Sequence, residues 1–190
     1  MNFRGESSQF NFGYYNDAAA HDVTFIRCSF SNNDSDLTSG GGVAAIRLAA
    51  DNSGKYNDIT VDSCCFSSCY QGVYIQCGDG IEVINSDFDG TEHNAIAVQS
   101  STDSFSGSVV IRNNHIFNTN DRAVRFGNGS DAKIEVSGNA FSNAADSDGQ
   151  LLKSGTLTSC SYRFSSNTYD GQLLEDVSGT DASWIVTVYR

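Results

Sequence analysis

Proline, helical periodicity and an excess of basic charge are all missing from the 190-residue sequence. The lack of proline suits a chain whose strands are flanked on both sides, because each backbone N–H is then needed in a hydrogen-bond ladder. The 11 Lys and Arg residues stand against 23 Asp and Glu, which gives a formal net charge of −12. General nucleic-acid binding is not expected, since it requires a basic surface.

Long apolar runs are absent as well. No stretch of 18 apolar residues occurs, so we expect no membrane-spanning segment. Residues 1–15 lack the continuous apolar region of a signal peptide. Neither observation decides the compartment or whether the chain is part of a longer protein.

One frame, present six times, dominates what the sequence does contain. It reads apolar, any, apolar, two of any, small polar or Cys, any, aromatic or Ile. The copies run over 23–30, 59–66, 81–88, 109–116, 134–141 and 162–169. Their internal offsets of two, five and seven never change, yet the last position recurs after 36, 22, 28, 25 and 28 residues. Rigid units joined by spacers of varying length are typical of a solenoid whose coils carry loops.

Two columns of inward side chains are predicted from this frame. The turn column contains Cys28, Cys64, Ser86, Asn114, Asn139 and Asn167. The aromatic column contains Phe30, Phe66, Phe88, Ile116, Phe141 and Tyr169. Stacked Asn side chains can hydrogen-bond from coil to coil at the strand spacing of about 4.8 Å, so we expect a polar ladder at one turn and an apolar interior beside it.

A second alternating strand follows most frames, as in Ala44-x-Ile46-x-Leu48 and Val73-x-Ile75-x-Cys77. Two strands per coil predict an all-β fold, a single-stranded right-handed parallel β-helix of about six to seven coils. We expect one domain over 1–190, with a degraded first coil at 1–22 and a closing strand at 183–190. Trp184 is expected to cover the end of the apolar column.

The cysteines and the longest loops offer weaker signals. We expect Cys28, Cys64 and Cys77 to be buried structural thiols, with a Cys28–Cys64 disulfide left open. Loops 31–42 and 49–57 are rich in Asp, Asn and Gly, and they are either solvated turns or a Ca²⁺ site. No other metal or cofactor is expected. His93 and His115 could act as general bases, although an isolated turn histidine is more often simply solvated.

The outward positions of the second strand are the best candidates for a functional surface. They are Arg47, Tyr74, Gln76, Ala97, Gln99, Arg125 and Lys153. Arg binds carboxylates through a planar fork, and Tyr can stack on a sugar ring. A groove for an acidic polysaccharide is one interpretation of this set; the other is ordinary exposed residues paired with nearby Asp.

The repeated Asn-x-Phe turns resemble those of the pectate-lyase-like superfamily of right-handed β-helices. More narrowly, the segments at 97–100, 111–114 and 124–128 are similar to those of the alginate lyase and chondroitinase B family. The resemblance implies a catalytic role for Arg125, places Gln99 at the position of the family's Lys, and adds Arg112 as a substrate-binding residue. From the outward positions of the second strand we expect Tyr74 and Gln99 to take part in catalysis and Arg47, Gln76 and Lys153 to bind substrate. The family's Lys base is replaced by Gln99, and a neutral amide cannot abstract a carbon-bound proton, so any polysaccharide lyase activity is undecided.

Two functions therefore remain open. The first is a carbohydrate-interacting, lyase-like protein acting on or binding an acidic polysaccharide. The alternative is a non-catalytic structural or adhesive β-helix, such as a surface repeat or a segment like a phage tail spike. Uncapped ends would invite homo-oligomers. Fold analogy favours an extracellular or cell-surface location.

Overall fold

The computed structural model describes residues 2–4, 14–16, 21–31, 44–49, 56–76, 78–99 and 104–188. These residues form short strands, and none of their segments is a helix that could span a membrane. The strands are β1 Asn2–Arg4, β2 Tyr14–Asn16, β3 His21–Ile26, β4 Ser29–Ser31, β5 Ile46–Ala49, β6 Tyr56–Asp62, β7 Cys65–Ser67, β8 Val73–Gln76, β9 Gly78–Ile84, β10 Asp87–Asp89, β11 Ile96–Val98, β12 Phe105–Arg112, β13 His115–Phe117, β14 Val124–Phe126, β15 Gly129–Ser137, β16 Ala140–Ser142, β17 Gln150–Lys153, β18 Leu157–Thr158, β19 Ser161–Ser165, β20 Thr168–Tyr169, β21 Gln172–Leu173, β22 Val177–Thr180 and β23 Ile185–Thr187.

Up to β17 every third strand joins the same sheet, so each coil contributes one strand to each of three sheets with parallel pairing. Sheet A has the order β1-β4-β7-β10-β13-β16-β20-β21, and sheet B the order β2-β5-β8-β11-β14-β17-β23. Sheet C runs β3-β6-β9-β12-β15-β19-β22, and β18 also pairs with β15. This arrangement is a parallel β-helix, as predicted.

The prediction of two strands per coil was wrong, because each complete coil has three. The aromatic column forms a strand of its own, for example β7 and β10 in sheet A. These strands are three residues long and turn a single side chain inward, as the exposed-buried-exposed pattern of β7 shows. One inward residue produces no apolar alternation, so the frame alone could not distinguish a strand here from a turn.

The Asn residues of the turn column are hydrogen-bonded from coil to coil. The backbone N–H of Asn114 donates to Oδ1 of Asn139 at 2.9 Å, and the N–H of Asn139 donates to Oδ1 of Asn167 at 2.9 Å. Nδ2 of Asn139 also donates to the carbonyl of Ile111 at 3.0 Å. These three Asn side chains lie in the interior, where unsatisfied polar groups are costly, so the column fixes each turn against the next.

The aromatic column packs beside it. The ring of Phe66 stacks on Phe30 with centroids 5.0 Å apart and on Phe88 at 4.5 Å. Phe88 is in register with Ile116, which is in register with Phe141. Both columns therefore run along the axis of the solenoid, and side chains fill its interior.

The C-terminal end of each sheet is finished by a strand that reverses direction. Strands β21, β22 and β23 pair antiparallel with β20, β19 and β17, respectively. Trp184, just before β23, is buried and stacks on Tyr162 with centroids 4.6 Å apart. The region predicted as a closing strand, 183–190, contains β23, although its last two residues lie outside the described residues.

In the segment predicted as a degraded first coil, 1–22, β1 pairs with β4 and β2 with β5. Phe10 and Phe12, which suggested that coil, lie outside the described residues.

Candidate functional site

The outer face of sheet B carries two columns of side chains. The first column, in register, consists of Arg47, Tyr74, Ala97, Arg125 and Lys153. Hydrogen bonds from the N–H groups of Gln99, Gly127 and Gly155 to the carbonyls of Ile75, Val98 and Phe126 place these three residues on successive coils in the second column. Gln76 precedes them on the coil before. The second column therefore changes from glutamine to glycine along the solenoid.

A pocket of about 240 Å³ opens where the second column becomes glycine. Its lining is Gln99, Arg122, Arg125, Phe126, Gly127, Asn128, Lys153, Ser154 and Gly155. A Cβ at Gly155 would lie 2.5 Å from Oδ1 of Asn128 and 2.9 Å from the carbonyl carbon of Gly127. Both distances are shorter than van der Waals contact, so glycine at 155 is what allows the backbone to approach closely and leave a depression.

Two of the basic residues in this lining are not neutralised by a described residue. Arg125 is half-buried and Lys153 is exposed. Within the described part of the chain neither makes an ion pair, and no acidic side chain lines the pocket. On a chain of net charge −12, an acid-free pocket with two unpaired cations is a local reversal of the overall field.

The third basic residue, Arg122, has a different environment. Its Nη1 donates to Oδ1 of Asp121 at 3.0 Å, its Nη2 to Oδ2 of Asp146 at 2.6 Å, and its Nε to Oε1 of Gln150 at 3.1 Å. Gln150 and Asp146 belong to the next coil along the chain. Arg122 thus forms a wall of the pocket with its charge already compensated, and it ties two coils together.

His93, considered as a general base, lies beside this ion pair and does not line the pocket. Its Nδ1 is 3.2 Å from Oδ2 of Asp121 and accepts a hydrogen bond from the N–H of Asn94 at 3.0 Å. His115 is exposed on sheet A, with Nδ1 3.9 Å from Oδ1 of Asp87. Neither His93 nor His115 lines the cationic pocket, although Asp121 connects His93 to Arg122 in its wall.

Arg47 and Tyr74 lie further along the same face of sheet B. The guanidinium carbon of Arg47 is 5.0 Å from the centroid of the Tyr74 ring, a cation–π distance. Ala97, between Tyr74 and Arg125 in the column, was predicted to line the surface, but it is fully buried. The face therefore carries the Arg47–Tyr74 pair and the cationic pocket. The coil between them contributes Ala97, whose side chain is inaccessible.

Arg112 is not brought to this surface. It ends β12 in sheet C and pairs with Ile84 and Ser137. The other predicted residues divide into a pocket group and a neighbouring group: Gln99, Arg125 and Lys153 line the pocket, whereas Arg47, Tyr74 and Gln76 lie on earlier coils of the same sheet.

Several pocket residues were not predicted as site residues, namely Arg122, Phe126, Gly127, Asn128, Ser154 and Gly155. The glycines could have been found, because Gly127 and Gly155 are separated by 28 residues, one of the intervals of the repeat, and each follows a sheet B strand. No repeat interval indicated Arg122, because its position in the pocket depends on contacts with a loop of the following coil.

Several polar side chains of the lining are already engaged or cannot transfer a proton. Oγ of Ser154 accepts the N–H of Trp184 at 2.7 Å and donates to the carbonyl of Gly155 at 3.0 Å, so it is already engaged. Arg side chains remain protonated and cannot act as bases. Among the described lining residues there is no carboxylate, imidazole or thiol.

Cys64, Cys69 and Cys160 are buried, whereas Cys28, which was predicted to be buried, is partly exposed and Cys65 is exposed. Cys28 and Cys64 are free thiols, so the disulfide left open by the sequence is not formed. Cys64 is buried, and its Sγ lies 3.4 Å from the carbonyl of Asp62. Burial raises the pKa of the Cys64 thiol to about 11. Cys77 lies outside the described residues.

The difference in exposure between Cys64 and Cys65 predicts that the two thiols react at different rates. Cys65 is exposed on the outer face of sheet A, whereas Cys64 is 1% exposed. Because the thiolate is the nucleophile, Cys65 should react with iodoacetamide at pH 8 at least about tenfold faster than Cys64. In mass spectrometry, Cys65→Ser should remove one rapidly modified thiol and Cys64→Ser none. Loss of a rapid thiol in Cys64→Ser would contradict this assignment.

Metal binding has no support in the described part of the chain, where no group of three or more His, Cys, Asp or Glu residues could hold an ion. The loops at 31–42 and 49–57, proposed as a Ca²⁺ site or as solvated turns, lie mostly outside the described residues. The Ca²⁺ site stays a prediction.

Comparison with known proteins supports the predicted fold and identifies no activity or ligand. A family model described as a right handed beta helix region matches residues 7–169. No curated protein and no solved structure matches significantly. The match confirms the predicted right-handed coil. The resemblance to the pectate-lyase-like superfamily and the narrower one to alginate lyases and chondroitinase B stay predictions.

Proposed function

Because the chain belongs to the right-handed beta helix family and carries a cationic pocket on an outer sheet face with no acidic residue in its described lining, we propose that it binds an acidic polysaccharide through that pocket. The observation that carries this proposal is the pair Arg125 and Lys153, neither of which has an ionic partner among the described residues. On a strongly acidic protein, unpaired cations in a depression attract an anionic ligand and orient it.

Each side chain has a chemical role in this proposal. The guanidinium of Arg125 offers a planar pair of donors to an anionic group of the polymer. The amide of Gln99, at the end of the pocket, can both donate to and accept from sugar hydroxyls. Tyr74, stacked with Arg47 on earlier coils, gives a longer glycan an aromatic surface for a second ring.

Binding without cleavage is the form of this function that the lining favours. The position of the family's Lys base is occupied by Gln99, and the described lining contains no carboxylate, imidazole or thiol. An adhesive β-helix that holds a glycan needs none of these groups. Lyase activity would need a base, which among the lining residues only Lys153 could supply.

Arg125→Ala should weaken binding of an acidic polysaccharide by about 10- to 100-fold, because a hydrogen bond to a charged group contributes about 1.5–3 kcal/mol. Alginate, pectate and chondroitin would be titrated against the protein, with ultraviolet absorbance recorded for unsaturated products. Arg163→Ala is the matched control, since Arg163 is exposed on sheet C.

Equal affinity of the wild type and Arg125→Ala would show that the wrong face had been chosen. Formation of an unsaturated product would show that the protein cleaves its ligand, against the binding role proposed here.

A further inference from the structure

We infer that the pocket recognises a tetrahedral oxyanion ester, a sulfate or phosphate group carried on the saccharide, in preference to a carboxylate. This inference rests on the proposed function, because it specifies which acidic group the polysaccharide presents. It follows from the number, spacing and surroundings of the cations in the pocket.

Charge counting gives the first argument. Arg125 and Lys153 are register partners on neighbouring strands, and neighbouring strands lie about 4.8 Å apart. Long side chains that leave adjacent positions of neighbouring strands can bring their charges to one ligand, and no described acidic side chain lines the pocket beside them. Arg122 adds no free charge, since Asp121 and Asp146 accept its hydrogen bonds. The pocket therefore has two positively charged side chains, Arg125 and Lys153, that no described acidic residue neutralises.

The geometry of the donors gives the second argument. A carboxylate is planar, carries one charge and is matched by a single guanidinium fork. If Arg125 held a carboxylate in that way, the ammonium of Lys153 would remain unmatched. A sulfate or phosphate ester has three terminal oxygens directed to different sides, so two can face the Arg125 fork while the third faces Lys153. A phosphate monoester also carries about −1.5 to −2 charge at neutral pH; a sulfate ester carries one, as a carboxylate does, so the preference for sulfate follows from its third oxygen.

The floor of the pocket gives the third argument. Gly127 and Gly155 provide depth without side chains, which suits a group that is bulky in three dimensions. Their backbone N–H groups already donate to the carbonyls of Val98 and Phe126. Recognition therefore depends on the Arg125, Lys153 and Gln99 side chains, which can adjust to a tetrahedral group.

The test compares two polymers with the same backbone. Chondroitin carries carboxylates alone, and chondroitin sulfate adds sulfate esters. The wild-type protein should bind the sulfated form at least about tenfold more tightly at 0.15 M salt. Lys153→Gln should reduce that preference to about threefold or less, because only the fork of Arg125 then remains. Lys133→Gln is the control for general charge, since Lys133 is exposed on sheet C, and it should keep the full preference.

Inorganic anions identify the source of the ester group. Sulfate and phosphate would each be used to displace labelled chondroitin sulfate at pH 5 and pH 8. A phosphate-specific pocket should be competed better by phosphate at pH 8, because the dianion of inorganic phosphate predominates there and the monoanion predominates at pH 5. A sulfate-specific pocket should show equal competition by sulfate at both pH values. Chloride at the same ionic strength is the control for general ionic effects. If neither sulfate nor phosphate displaced more chondroitin sulfate than chloride does, the inference would be overturned.

Failure of the inference can be told from failure of the proposed function. Equal binding of chondroitin and chondroitin sulfate, with both weakened by Arg125→Ala, would overturn the ester preference and keep polysaccharide binding. An unchanged preference in Lys153→Gln would overturn the shared role of the two cations. Binding of neither polymer would overturn the inference, and absence of binding to alginate and pectate as well would overturn the proposed function.

Discussion

Asn139→Leu should lower the free energy of unfolding by about 3–5 kcal/mol. The Asn139 side chain is 1% exposed. Its Oδ1 accepts hydrogen bonds from the backbone N–H and from Nδ2 of Asn114, and its Nδ2 donates to the carbonyl of Ile111 and to Oδ1 of Asn167. Leucine has a similar volume but satisfies none of these groups. Each buried polar group left unpaired costs about 1–3 kcal/mol, and the costs are not strictly additive.

Asn120→Leu is the matched control. Asn120 is exposed, lies in a turn of the preceding coil, and uses its backbone N–H, which the substitution keeps, to bond the carbonyl of Thr91. A surface change of this kind should alter stability by about 0.5 kcal/mol or less. Urea denaturation of the two variants beside the wild type measures the difference. Similar midpoints for Asn139→Leu and Asn120→Leu would show that the buried amide column does not hold the coils together.

Arg122→Met should lower the free energy of unfolding by about 3–5 kcal/mol, because breaking a buried ion pair strands the remaining charge. The side chains of Arg122 and Asp146 are 15% and 10% exposed, and their closest nitrogen and oxygen atoms are 2.6 Å apart. Without Arg122 the Asp146 carboxylate would keep only its hydrogen bonds from the N–H groups of Asp148 and Gln150.

A second substitution separates this cause from lost packing. Asp146→Asn added to Arg122→Met removes the stranded charge while keeping an oxygen for the two N–H groups, so the double variant should recover part of the loss. Arg163→Met, at an exposed position, should change stability by about 0.5 kcal/mol or less. A double variant that is less stable than Arg122→Met alone would contradict the stranded-charge explanation.

The inward columns were predictable from the sequence, and the reason is geometric. The offsets of two, five and seven within the frame force Phe66 and Phe88 onto the same interior line, and their rings are stacked. The number of strands per coil was not predictable in the same way. A strand such as β10 has one buried residue between less buried ones. A single buried residue cannot show the alternation by which a strand is recognised in a sequence.

The candidate site was partly predictable. Outward alternation in the second strand placed Gln99, Arg125 and Lys153 on one face, and all three line the pocket. Arg112 was grouped with them through a short motif, yet it lies on sheet C, because spacing along the chain does not say which sheet a residue joins. The pocket itself depends on glycines at 127 and 155, and a depression formed by absent side chains is visible only once the coils are in register.

Affinity for chondroitin sulfate in the wild type, in Arg125→Ala, in Lys153→Ala and in the double variant gives the most direct test that the two cations bind one anionic group. Side chains that share a ligand group should couple, so the summed effects of the single variants should differ from the effect of the double variant by about 0.5–3 kcal/mol. Effects that add to within about 0.3–0.5 kcal/mol would mean that Arg125 and Lys153 act independently and that the pocket does not hold a shared anion.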